Sequence, residues 1–240
     1  MPTSIKQAPT SKIMVLIPAL NEEKSVAKVI NDLPQHLLQK VVVVDNNSTD
    51  QTAAVAKIAG ATVVSQPQRG YGAACLAGMR YIESLPTVEQ PDILVFIDAD
   101  YSDDPTELPL LIAPITAQNY DMVIGSRAIG ERENGAMTIP QLFGNWLATR
   151  LLRWIYKVQF TDLGPFRAIK WQKLLALQMQ DEDFGWTVEM QVKAAKYNFL
   201  STEIPVSYRR RRDGQSKVSG TIKGTILAGH KILYTIFKHL

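Results

Sequence analysis

The sequence predicts an α/β fold, a mostly parallel central sheet with helices on both faces, and three observations predict it. Short apolar runs rich in Val, Ile and Leu recur along the first half of the 240-residue chain. Stretches with helical spacing of apolar residues separate them, as parallel strands require, because each crossover needs a connection of helix length. The runs are apolar throughout, without polar alternation, so both faces of the strands are expected to be covered.

Residues 1–12 are polar with two prolines and read as a tail, with neither a signal peptide nor a membrane anchor expected there. Strand and helix then alternate: Ile13 to Pro18 and Glu22 to Leu33, Val41 to Asp45 and Thr49 to Ala59, Thr62 to Ser65 and Gly72 to Ser84. A strand at Asp92 to Ile97, a helix at Pro105 to Ala117 and a strand at Asp121 to Gly125 follow. Beyond a charged, glycine-bearing loop, Phe143, Trp146, Leu147, Arg150, Leu151 and Trp154 fall at three- and four-residue steps between Gln141 and Lys157. This aromatic helix face is expected to pack on the core, with lipid contact as the alternative. Thr161 to Arg167 reads as a polar turn, Trp186 to Tyr197 as a helix carrying Glu189, and Ser201 to Tyr208 as a strand.

The C-terminal segment, residues 221–240, reads as an amphipathic helix with Ile222, Ile226, Leu233, Ile236 and Phe237 on one side and Lys223, Lys231 and Lys238 on the other. It is too short and too charged to span a bilayer. It suits an anionic surface, and it equally suits packing against the domain.

Composition narrows the function classes. A 46% hydrophobic content is ample for a core, and the net charge of +3 is unevenly placed. Arg209 to Arg212, Lys217, Lys223, Lys231 and Lys238 crowd the C-terminal part, whereas acidic residues collect at Asp98 to Asp104 and Asp181 to Asp183. One cysteine, Cys75, excludes an internal disulfide, and His36, His230 and His239 lack zinc-site spacing, so a reducing cytoplasm fits. Nucleic-acid binding is disfavoured by the lack of a known module or of aromatics among the arginines.

In open parallel sheets, ligands sit beyond the carboxyl ends of the strands. Polar clusters follow five predicted strands here: Asn21-Glu22, Asp45 to Asp50, Gln68 to Gly72, Asp98-Ala99-Asp100 and Ser126-Arg127. Each residue has an ordinary alternative as a helix cap or turn former. Neither a P-loop nor a complete Gly-x-Gly-x-x-Gly run is present, since Gly70-Tyr71-Gly72 is followed by Ala73-Ala74-Cys75. Asp98 and Asp100, two hard oxygen ligands at a strand end, suit Mg²⁺ or Mn²⁺.

Together these motifs resemble glycosyltransferase family 2, and within it the polyprenyl-phosphate (dolichyl-phosphate) mannose and glucose synthase group. The matching residues are Ile17 to Glu22, Val44 to Thr52, Arg69 to Gly72, Asp98 to Asp100, Gly125 to Arg127, Thr161 to Arg167 and Arg211 to Lys217. The resemblance implies a GT-A (Rossmann-like) fold, with a nucleotide-sugar half at 13–127 and an acceptor half at 128–220. It implies a UDP- or GDP-sugar donor, a divalent metal on Asp98 and Asp100, and inversion at the anomeric carbon. Pro18, Ala19, Asn21, Glu22 and Asp45 would frame the nucleoside, with Asn47, Asp50, Arg69, Gly70 and Ala99 also on the donor side. Arg127 and the loop bearing Arg211, Arg212, Ser216 and Lys217 would receive phosphate.

A phosphate acceptor is already anionic at neutral pH and needs no strong base; for a hydroxyl acceptor, Asp162 and Glu189 are the candidates. The expected acceptor is a polyprenyl phosphate at the cytoplasmic membrane face, with peripheral membrane contact. A soluble phosphorylated or hydroxyl acceptor, a non-catalytic nucleotide-sugar-binding protein and a homo-oligomer stay open. Leu163-Gly164-Pro165 departs from the mannose synthase pattern and places the chain in a side branch.

Overall fold

The computed structural model describes residues 11–211 and 222–238. Strands β1 (Ile13–Ala19), β2 (Lys40–Asp45), β3 (Thr62–Ser65), β4 (Ile93–Phe96), β5 (Met122–Ser126), β6 (Arg167–Lys170) and β7 (Ser201–Pro205) form one sheet. Its order is β3-β2-β1-β4-β6-β5-β7. The pairs β1/β2, β1/β4, β2/β3 and β5/β7 are parallel, and only β6 runs against its neighbours β4 and β5. Helices α1 (Val26–Asp32), α2 (Thr52–Ile58), α3 (Tyr71–Glu83), α4 (Leu108–Gln118), α5 (Ile139–Tyr156), α6 (Trp171–Leu177), α7 (Trp186–Lys196) and α8 (Ile222–Lys238) complete it.

The mostly parallel α/β sheet is as expected; β6 and α6 are not. Arg167-Ala168-Ile169-Lys170 is four residues with a charge at each end, too short for a periodic signal. Its consequence is local: the start of β6 lies at the rim where the other strands end, which delivers the Thr161 to Phe166 segment there. Helix α1 begins at Val26 instead of Glu22, because Asn21 adopts φ +53° and the chain turns first.

Strand residues alternate between two cores. Met14, Leu16, Val42, Val44, Leu94 and Phe96 face the layer of α3, α5, α6 and α7. Ile13, Val15, Ile17, Val41, Val43 and Val95 face α1 and α4. Such two-sided burial explains why the strand sequences lack polar alternation. Phe96 meets Trp186 of α7 edge-on at 5.9 Å, both almost fully buried, and truncating either ring to alanine is expected to cost about 3–5 kcal/mol.

Candidate active site at the carboxyl rim

β1 and β2 run level to their ends, Ala19 opposite Asp45, whereas β4 stops short, with Phe96 opposite Leu16. After Ile97 N–H donates to the Leu16 carbonyl at 3.3 Å, the chain leaves the sheet and Asp98 to Asp103 cross the rim. The turn is tight. Asp100 Oδ1 accepts Ser102 N–H at 2.9 Å, and Tyr101 adopts φ +61°, a strain of about 1–3 kcal/mol for a bulky residue. Contacts to the ring hold it there: its hydroxyl donates to Asp32, and the Lys28 and Arg209 cations lie 4.2 and 5.4 Å from its centroid.

The carboxylates here are poorly neutralised. Asp98 keeps partial access to solvent, yet its Oδ1 is buried and has no hydrogen-bond partner among the described residues; the same holds for Asp45 Oδ1 and both Asp103 oxygens. Burial, and then repulsion from Asp100, pushes Asp98 up to about 7. Burial also raises Asp100 and, with the charge of Asp98, drives Asp103 well above the carboxylate range. Unpartnered buried carboxylate oxygens are destabilising, and the Asp98–Asp100 pair at a strand end fits a cation-binding site.

Three arginines surround this acid. Arg127, just past β5, gives Asp162 its backbone N–H at 2.8 Å, Nε at 2.7 Å and Nη2 at 2.8 Å, and its guanidinium stands 4.9 Å from the Tyr208 ring centroid. Arg167 is fully buried and donates to the carbonyls of Gly164 at 3.0 Å, Leu163 at 3.1 Å and Thr187 at 2.9 Å. Burial lowers it to about 10, so it stays cationic at neutral pH and its field favours ionised Asp98. Arg211 pairs with Glu22 and lies 3.7 Å from Asp100 Oδ2. The segment after β7 brings it there: Tyr208 bridges to Asp103, and Arg209 N–H donates to the Ser102 carbonyl at 2.8 Å.

The β1 and β2 loops are locked together at the rim. Asn21 N–H donates to Ser48 Oγ at 3.0 Å, Asn21 Oδ1 accepts Thr49 N–H at 2.8 Å, and Glu22 N–H donates to Thr52 Oγ1 at 2.7 Å. Asn46, which sequence reasoning did not single out, holds the next loop by donating to the Gln68 carbonyl at 2.6 Å and accepting Gly70 N–H at 2.8 Å. Its place between Asp45 and Asn47 was the available signal. Asp103 and Arg167 were likewise passed over as ligand-side residues.

Several of the expected site residues have internal partners. Asp162 is committed to Arg127, which outweighs burial and keeps its carboxyl below the usual range, so it is a poor base. Glu189 is 1% exposed, accepts Gln180 and Asp181 N–H at 3.1 and 2.7 Å and pairs with Lys193 at 2.7 Å, a structural role. Asp50 accepts Thr52 N–H at 3.0 Å and Glu23 N–H at 3.3 Å, as a capping residue does. Gly70 and Gly72 make room for protein: an added Cβ would lie 2.3 Å from the Glu182 carbonyl oxygen and 2.0 Å from that of Asp181. Pro18, Ala19 and Ala99 are buried, which leaves ligand contact there to the main chain, while Asn47 and Arg69 are exposed on the rim loops. Arg212, Ser216 and Lys217 lie outside the described residues.

The chain is similar to known proteins in sequence and in fold. An uncharacterized glycosyltransferase of Mycobacterium tuberculosis is 36% identical over 218 residues, 90% of this chain and 94% of that protein. The undecaprenyl-phosphate mannosyltransferase of Micrococcus luteus is 28% identical over 227 residues, 89% of this chain and 90% of its own. Among solved structures, glucosyl-3-phosphoglycerate synthase from Mycobacterium tuberculosis, in complex with Mn²⁺, uridine diphosphate and phosphoglyceric acid, superposes with a TM-score of 0.74. That match covers 95% of this chain and 78% of the other at 21% identity, and is a likeness of fold, the expected GT-A type. The family model for glycosyl transferase family 2 matches residues 14–175, and the chain accordingly belongs to that family and is a glycosyltransferase.

Proposed function

We propose that the protein is an inverting enzyme that moves a hexose from a UDP- or GDP-sugar to a polyprenyl phosphate, with Mg²⁺ or Mn²⁺ on Asp98 and Asp100. The observation that carries this reading is the Asp98–Asp100 pair, partly buried, like-charged and with Asp98 Oδ1 buried and unpartnered among the described residues. Among the described residues no three His, Cys, Asp or Glu side chains form a metal-binding group. The two carboxylates would therefore share the cation with diphosphate oxygens and water, the habit of Mg²⁺. Bound there, the ion supplies Lewis-acid stabilisation of the departing nucleoside diphosphate. Asp45 Oδ1, buried and unpartnered at the end of β2, suits a nucleoside donor group.

The residues already engaged support a phosphate acceptor. Asp162 and Glu189 are both committed to internal partners, and Asp103 is 1% exposed, so a strong base poised for a hydroxyl acceptor is missing from these candidates. A phosphate acceptor needs none. Arg211, beside Asp100, provides cationic charge where a phosphate would approach. The relationship to an undecaprenyl-phosphate mannosyltransferase favours a lipid phosphate; a soluble phosphorylated acceptor is the second reading, supported by the phosphoglyceric acid bound in the solved neighbour.

Donor-induced thermal shifts with UDP- and GDP-sugars, with and without Mn²⁺, followed by transfer to undecaprenyl phosphate or soluble phosphates, test both halves. The metal assignment fails if stabilisation by donor survives in Asp98→Asn and Asp100→Asn. Transfer to soluble phosphates alone would remove the lipid acceptor.

A further inference from the structure

The outward side of α5 contradicts the expectation that its aromatic face packs on the core. Ala148, Thr149 and Leu152 are the buried positions, while Ile139 is 83% exposed, Phe143 60%, Trp146 56% and Trp154 71%. With Arg150, Arg153 and Lys157, also exposed, these residues recur every three or four positions and form one stripe along the helix. The helix is thus apolar toward the core and aromatic and basic toward solvent. Single exposed apolar residues are ordinary; a continuous stripe of them marks a surface made to be covered.

We propose that this stripe docks the enzyme on an anionic bilayer surface. The charge pattern chooses the occupant: from Gly135 to Gln159 the sequence has no Asp or Glu, although the chain carries 23 of them. Arg150, Arg153, Trp154 and Lys157 border one shallow cleft of about 380 Å³, which places three cations and an indole on the same patch. Tryptophan at headgroup depth with long cations beside it is the composition of an interfacial helix. Beside α5, α8 adds exposed Tyr234 and Phe237, and the Tyr156 hydroxyl donates to the Ile236 carbonyl at 2.7 Å. No described helix is long and apolar enough to cross a membrane.

Docking here reaches the site through one residue. Asn145, on the same helix, donates to the Thr161 carbonyl at 2.9 Å and accepts Leu163 N–H at 2.9 Å, and the loop it holds carries Asp162, the partner of Arg127. A bilayer under α5 therefore sets the depth of the rim relative to lipid phosphates. The proposal rests on the lipid-acceptor reading for its purpose, not for its evidence.

The test uses the full chain with phosphatidylcholine vesicles, with and without phosphatidylglycerol, and with brominated lipid as quencher. Of the four tryptophans, Trp171 and Trp186 are buried, so quenching reports Trp146 and Trp154. The wild type is expected to partition onto the anionic vesicles with quenched fluorescence. Phe143→Ser/Trp146→Ser/Trp154→Ser and Arg150→Glu/Arg153→Glu are each expected to lower partitioning by about tenfold or more, with donor-induced thermal shifts unchanged. Unquenched tryptophans, or equal partitioning by the variants, would overturn the proposal. So would light scattering that finds a wild-type dimer which the variants dissociate, since the stripe would then belong to a second copy. Docking that is lost in the variants while undecaprenyl phosphate accepts no sugar would uphold the surface and remove only the lipid acceptor.

Discussion

Asp162 receives three hydrogen bonds from Arg127, one from the backbone and two from the guanidinium, across 35 residues of sequence. The pair joins the end of β5 to the segment entering β6, and so fixes that edge of the rim. Removing one partner strands the other: Asp162→Ala is expected to lose about 3–5 kcal/mol in urea denaturation at neutral pH. Asp162 is held below its ordinary 3.8 by Arg127 despite burial. Its contribution is therefore fully present above pH ~4 and lost as pH falls further through the folded value, and the stability gap to the variant should narrow only in that acid window.

Asp98 has the opposite sign. Burial and Asp100 raise it from 3.8 to about 7, so the folded, metal-free protein binds a proton that the unfolded chain has released. Stability is favoured below pH ~4 and declines as pH rises through about 7, by on the order of 4 kcal/mol. Asp98→Asn should be more stable than the wild type at pH 8 without metal and lose metal-dependent donor binding. Denaturation curves at pH 4 and 8 check the first point, and a variant less stable at pH 8 would refute it.

At Gly72 the α3 backbone meets the Asp181 segment, with the position of a Cβ only 2.0 Å from the Asp181 carbonyl oxygen. Gly72→Ala must displace backbone, and a loss of about 1–3 kcal/mol is expected by thermal denaturation. An unchanged melting temperature would mean that the two segments are not held in contact.

Asn145→Ala removes both bonds that fasten the Thr161 to Leu163 segment to α5. About 1–3 kcal/mol of stability should go with them. Acceptor kcat/KM should fall while donor-induced thermal shifts persist, because the donor loops are locked separately through Asn21, Ser48 and Asn46. Equal damage to donor binding would contradict that division.

Much of the fold is legible from local pattern alone. A strand buried on both faces must be apolar at every position, so β1, β2 and β4 announce themselves, and the polar residues after them mark the ligand rim. β6 escapes because four residues bounded by Arg167 and Lys170 carry no such pattern. The partners of acidic residues are also illegible, since pairing depends on neighbours distant in sequence: Asp162 looks like a base until Arg127 is beside it, and Glu189 until the 180–181 backbone closes over it.

By itself the sequence determined the α/β class, the rim and the Asp98–Asp100 pair, because backbone periodicity and short motifs are properties of neighbouring residues. The tertiary structure decided which carboxylates are neutralised and which are not, and which face of α5 is covered. Periodicity shows that α5 has an apolar core side and an aromatic side, but burial is settled only by what packs against each, and nothing in the described fold covers Phe143, Trp146 and Trp154.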